Sequence, residues 1–233
     1  MKKIIAFISV VALFSCSKEE ILNGRKSLTE DFDTYSELDD IRDQSEPTFT
    51  FFQLSESHPE NSLSIDSSVF LSARNSVYCF AKATTKGKVS KADISNNKMS
   101  LEEGKTVSIE AHYFISTEES LDQLFFMDLE ETIPIGAGPG IRLRLIGSEG
   151  YLNVERNKMG ERTLAQNEDN KITFPRNQWV SIRLEVKLSQ KKTGYIKVYQ
   201  DDVLIIESFK ERTLPIDRLT YNQGTKGVYN SIQ

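Results

Sequence analysis

The sequence predicts an all-β protein, a sandwich of two packed antiparallel sheets, and three observations carry that prediction. The first is alternation: Val180, Ile182, Leu184, Val186 and Leu188 interleave with Ser181, Arg183, Glu185 and Lys187. Five consecutive matches to a period of two leave little room for a helix. The second is turn chemistry, since Asp201-Asp202 separates the β-rich run 195–200 from Val203-Leu204-Ile205-Ile206. The third is the lack of a useful amphipathic helix, 117–123 offering one turn at most. Many strands with polar loops and one-sided alternation bury their apolar faces against a second sheet.

The chain opens on a leader. Lys2 and Lys3 precede the run 4–14, apolar except for Ser9 and too short to remain as a membrane-spanning helix. It closes on Leu13-Phe14-Ser15-Cys16, which resembles a bacterial lipobox, with Phe14 bulkier than the usual residue there. The resemblance implies cleavage before Cys16 and a diacylglycerol on its thiol. Ser17-Lys18-Glu19-Glu20 follows, and Lys18, Glu19 and Glu20 resemble the surface-export signal of Bacteroidota lipoproteins. The expected location is the outer membrane, lipid-anchored and facing the cell surface, with the periplasmic face as the alternative.

Three segments result: a lipoprotein signal peptide at 1–15, a lipidated Cys16 with an acidic tether at 16–47, and a β domain at 48–233. Within the tether, the neighbourhood of Asp31-Phe32-Asp33 could enter the domain as an edge strand. In the domain, 106–116 places Val107, Ile109, Ala111, Tyr113 and Ile115 on one face and Ser108, Glu110, His112 and Phe114 on the other. Ile141, Leu143 and Leu145 alternate with Arg142 and Arg144. Residues 179–207 read as a three-stranded meander, and 213–230 reads as a loop running into Ser231-Ile232-Gln233.

Composition excludes several functions. Removing residues 1–15 takes away two lysines and no acid, moving the formal charge from −5 to −7. An acidic protein without a basic run is a poor partner for nucleic acid. With Cys16 lipidated, Cys79 has no partner for an intramolecular disulfide, and two histidines do not complete a Cys/His zinc site. Cys79 reads as a buried, inert thiol. No cofactor is implied, and a structural Ca²⁺ among the acids is left open.

The run from Trp179 through Gly194-x-Ile196-x-Val198-Tyr199-Gln200-Asp201-Asp202 resembles the C-terminal half of concanavalin A-like jelly rolls. That superfamily includes lectins, laminin-G-like modules, family 16 glycanases and polysaccharide lyases, so the resemblance implies a jelly-roll sandwich and leaves the function open. Such folds finish with further strands, and the sequence is expected to lack its closing strand.

Tests for chemistry divide the family. Phe126-Met127-Asp128-Leu129-Glu130-Glu131 is the nearest match to the glycanase motif Glu-x-Asp-x-x-Glu, but Phe126 replaces the nucleophile. Asp128 and Glu131 are therefore read as loop or strand-end acids. Lyases of this fold need a base and a group that neutralises the uronate carboxylate. His112, Arg142, Arg144, Tyr195 and Tyr199 lie on the polar phase of strands and form the candidate glycan-binding set. Lys226-Gly227-Val228-Tyr229-Asn230 resembles the Lys-x-Gly-x-Tyr element of alginate lyases, one residue short. Gly136-Ala137-Gly138-Pro139-Gly140 reads as a tight loop before a strand, His58 as an exposed loop residue, and Trp179 as core or rim packing. The preferred reading is non-catalytic binding of glycan or polysaccharide. The alternatives are a lyase acting on uronate-containing glycan and a purely structural surface module.

Overall fold

The computed structural model describes residues 6–9, 29–45, 47–72, 74–84, 88–96, 101–131, 138–156, 159, 163–215, 220–221 and 223–231. Its strands in chain order are β1 (Ala6–Ser9), β2 (Phe51–Leu54), β3 (Ser62–Asp66), β4 (Ser76–Phe80), β5 (Val89–Asn96), β6 (Leu101–Glu102), β7 (Thr106–Ile115) and β8 (Leu124–Glu131). They continue with β9 (Gly138–Ile146), β10 (Tyr151–Arg156), β11 (Leu164–Ala165), β12 (Trp179–Lys187), β13 (Gly194–Gln200), β14 (Val203–Glu211), β15 (Thr220–Tyr221) and β16 (Gln223–Ser231). A one-turn helix, α1, covers Leu38–Arg42. Sheet 1 runs β14-β13-β12-β7-β1-β4-β3 and sheet 2 runs β11-β10-β9-β8-β16-β5-β2, each pairing antiparallel. The jelly-roll sandwich expected from the sequence is the architecture observed.

Alternation sets which face of each strand is inside. Val107, Ile109, Ala111, Tyr113 and Ile115 of β7 are buried, as are Val180, Ile182, Leu184 and Val186 of β12. They pack onto Ile141, Leu143 and Leu145 of β9 and Leu152 and Val154 of β10. Tyr113 spans the layers: its hydroxyl donates to the Phe126 carbonyl at 2.8 Å and its ring lies 4.8 Å from that of Phe126. Arg156 of β10 and Glu211 of β14, both buried, form a second link at 2.7 Å. Asp201 and Asp202, at φ 47° and 62°, make the tight hairpin that the meander requires. At the β9–β10 turn Gly150 has φ +76°, and a Cβ there would sit 2.6 Å from Leu121 Cδ1, so glycine is required.

Three observations bear on the expectations. Residues before 48 reach the core, as allowed for the Asp31-Phe32-Asp33 neighbourhood: Phe32 and Ile41 are fully buried, and the Phe32 ring stacks on Phe49 at 6.0 Å. A charged sequence hides this because two apolar side chains suffice to pin the segment, one on α1. Next, 213–230 is not a loop throughout, because β16 lies between β8 and β5 in sheet 2. Its Gly, Asn and Lys content conceals a strand whose stability comes from two flanking neighbours rather than from propensity. The closing strand expected to be missing is thus present in that sheet. Finally, Ala6–Ser9 of the leader is a strand of sheet 1. Cys16, Lys18, Glu19 and Glu20 lie outside the described residues.

Candidate active site

The outer face of sheet 2 carries a polar field built by cross-strand register. One row crosses five strands as Ser95, Thr225, Asp128, Arg142 and Glu155. A second crosses the same strands as Lys91, Tyr229, Phe125, Arg144 and Asn153. Between them Asp93 pairs with Gly227. Irregular pairing between Phe125 and Met127 of β8, and between Lys226 and Tyr229 of β16, keeps the rows aligned.

The two arginines differ in their surroundings. Arg142 is held by two acids, Asp128 at 3.2 Å and Glu155 at 3.1 Å, with its guanidinium 4.2 Å above the Phe125 ring. Arg144 donates to amide oxygens, Gln123 Oε1 at 2.9 Å and Asn153 Oδ1 at 3.4 Å, and meets the Glu155 carboxylate at the longer distance of 3.7 Å. Its side chain is 18% exposed against 9% for Arg142. Arg142 is therefore the more fully charge-compensated of the two, and Arg144 is the more exposed.

Asp93 is fully buried and accepts from the Ser95 hydroxyl at 3.2 Å, while its second oxygen has no partner among the described residues. Burial pushes its carboxyl up to about 7, the Glu130 charge adds to the rise, and Lys91 and Ser95 oppose it. Among the described residues no group of three or more His, Cys, Asp or Glu side chains is arranged to hold a metal ion.

The structure divides the sequence-derived set. Arg142 and Arg144 share the outer face of sheet 2, 3.1 Å and 3.7 Å from the same Glu155. His112, Tyr195 and Tyr199 lie on the outer face of sheet 1, with the core between the two groups. There Arg183 covers the Tyr199 ring at 4.0 Å, and Tyr195 packs on Phe209 at 6.0 Å. Burial lowers the His112 pKa, with Glu110 and Asp201 opposing the shift. One site cannot contain all five residues. Other readings shift as well. Asp128 is a buried mid-strand acid, Gly138 and Gly140 belong to β9, and His58 is half-buried against the Thr84 hydroxyl at 3.0 Å. Trp179 keeps its expected packing role, at the rim, its Nε1–H donating to the Phe70 carbonyl at 3.1 Å and its ring 5.7 Å from Phe114.

Asp93, Gln123, Asn153 and Glu155 were missed. The last two had a signal, because a four-residue turn at 147–150 sets Asn153 opposite Arg144 and Glu155 opposite Arg142. Asp93 stood among polar residues on an alternating strand and offered none.

The model of the polysaccharide lyase family matches residues 31–229, most of the chain. The chain belongs to the polysaccharide lyase family. A solved structure of endo-beta-1,4-glucuronan lyase from the fungus Trichoderma reesei superimposes with a TM-score of 0.63, covering 78% of this chain and 80% of that one. At 14% identity that likeness shows the shared jelly-roll fold. No curated protein matches the chain. Family membership favours the lyase alternative over the non-catalytic lectin preferred from sequence.

Proposed function

We infer that this polysaccharide lyase family member cleaves uronate-containing polysaccharide by β-elimination on the outer face of sheet 2. The observation that carries the reading is Arg144, a partly exposed guanidinium held mainly by neutral amides beside a buried polar field. Elimination removes the proton at C5 of the uronate, moves that electron pair into a C4–C5 double bond and expels the C4 oxygen. The C5 proton becomes removable once the adjacent carboxylate is neutralised, which is the role assigned to Arg144. Tyr229 takes the proton-transfer role by its place in the Lys-x-Gly-x-Tyr-like element and its register beside Lys91 and Phe125. The Tyr229 phenolate accepts the C5 proton and, now neutral, donates a proton to the expelled C4 oxygen, which restores the phenolate.

The leader supports a working location at the outer membrane, anchored through Cys16, where polysaccharide from outside the cell is within reach. The test is the processed protein on a panel of uronate polysaccharides, followed by the ultraviolet absorbance of the unsaturated product. The expected result is absorbance with at least one polymer, abolished in Tyr229→Phe. Binding of glycans with no product from any polymer would return the protein to the lectin reading.

A further inference from the structure

The second polar row on sheet 2 has a cation at each end of its central stretch. Across β5, β16, β8 and β9 it runs Lys91, Tyr229, Phe125 and Arg144. In the elimination proposed for this face Arg144 meets the reacting uronate, and Lys91 takes no part in that step. We propose that Lys91 forms a second carboxylate-binding subsite, so that the substrate is an oligosaccharide segment carrying at least two uronates, one held at Lys91 while another reacts at Arg144. The inference deepens the lyase reading of this face and rests on it.

Three observations support the subsite. First, both cations donate to side-chain amides. Lys91 Nζ donates to Gln53 Oε1 at 3.4 Å, as Arg144 does to Gln123 Oε1 at 2.9 Å and Asn153 Oδ1 at 3.4 Å. An amide oxygen orients a cation without cancelling its charge, so an incoming carboxylate still gains a charge-assisted hydrogen bond. In the other row Arg142 already meets the carboxylates of Asp128 and Glu155. Second, the lysine starts from a fixed point. It is half-buried on an interior strand, its N–H donates to Ser55 Oγ at 2.8 Å and its carbonyl accepts from the Ser55 N–H at 3.2 Å. Third, the two cations are held apart. β5 and β9 stand three strand intervals from each other, about 14 Å. Gln53 on β2 and Asn153 on β10 lie beyond the two ends of that stretch, and the register positions within it, Tyr229 and Phe125, belong to aromatic residues. A single uronate therefore meets one cation, whereas a longer segment laid across the strands meets both. Burial raises the pKa of Asp93, two residues along from Lys91, to about 7, so that acid cancels the lysine only in part at neutral pH.

The test is titration calorimetry on the full chain in the inactive Tyr229→Phe background. The ligands are linear hexamers of glucuronate, mannuronate and galacturonate, each compared with the same hexamer bearing a single uronate, its other carboxyls reduced to alcohols. At least one full hexamer binds about tenfold tighter than its reduced form, the worth of one charge-assisted hydrogen bond. In Lys91→Gln the two forms bind alike. The difference survives in Lys91→Arg, and in Lys197→Gln, which removes a lysine paired with Glu207 on sheet 1. With Tyr229 restored, Lys91→Gln raises KM for the cleaved polymer about tenfold and leaves kcat unchanged, as expected for binding shared by ground and transition states. A difference that persists in Lys91→Gln overturns the subsite, as does an equal loss in Lys197→Gln or the binding of none of the hexamers. A fall in kcat at unchanged KM also overturns it, by placing Lys91 in the chemical step. The lyase reading fails by a separate result: wild-type protein that yields no unsaturated product from any polymer, while Lys91→Gln still abolishes the hexamer preference, keeps the two-uronate site and removes the catalysis.

Discussion

The two outer faces of the sandwich carry similar residue types and put them to different use. On sheet 1, Ser108, Glu110, His112, Arg183, Glu185, Lys197 and Tyr199 are half-buried, and their ion pairs reach exposed partners such as Asp202. On sheet 2, Asp93, Ser95, Asp128, Glu130 and Arg142 are buried, although the strands that carry them alternate in the same way. An exposed ion pair contributes little, whereas burying charge is costly unless every group is matched. A sheet face that buries five polar side chains, three of them in one cross-strand row, departs from what stability alone selects. The difference between the faces supports the proposal that sheet 2 is the working surface, and its consequences can be ranked.

The largest expected effect is on catalysis. Arg144→Ala should lower kcat/KM by about 10²–10³-fold, the range for removing one stabiliser of developing charge. Arg183→Ala, an arginine stacked on an aromatic ring on the other face, should leave steady-state kinetics unchanged. Equal losses at the two arginines would erase the distinction between the faces.

Stability should show the next contrast. Asp128→Ala removes one of the two acids holding the buried Arg142 and should cost about 3 kcal/mol, at the lower end for a broken buried pair because Glu155 remains. Glu185→Ala, half-buried on sheet 1, should change denaturant midpoints by no more than about 0.5 kcal/mol. A loss at Asp128 as small as that at Glu185 would mean the ion pair on sheet 2 is decoration.

The last effect is a slope rather than a step. Asp93 titrates near 7 in the folded protein against 3.8 for the unconstrained side chain, so between those values the folded state holds the extra proton. Its contribution to stability is complete below about pH 4 and is lost as pH rises through about 7, at up to about 1.4 kcal/mol per pH unit. Asp93→Asn should flatten that part of the stability–pH curve, as measured by denaturant titration from pH 4 to 8. An unchanged slope would show that Asp93 is not the group responsible.

Legibility in the sequence follows the same divide. The meander β12–β14 could be read because its alternation and its Asp-Asp turn are local, and Val180 to Val186 face the core as predicted. The arginines were visible as polar-phase residues, but grouping them with His112, Tyr195 and Tyr199 required knowing which strands share a sheet. That is decided by long-range pairing, here β8 with β9 and β16, where irregular register defeats counting. β16 went unread for the same reason: its residues have little strand propensity, and two neighbours hold it in place. Phe32 and Ile41 sat in an acidic stretch, where charge density masked two core anchors.

The most direct test is where a uronate oligosaccharide binds. Amide chemical shifts of the isotope-labelled protein, titrated with the substrate oligosaccharide in an inactive Tyr229→Phe background, would map the contact. The account predicts perturbations centred on β8, β9, β10 and β16, with those of β12, β13 and β14 unmoved. Perturbations confined to β12–β14 would contradict it.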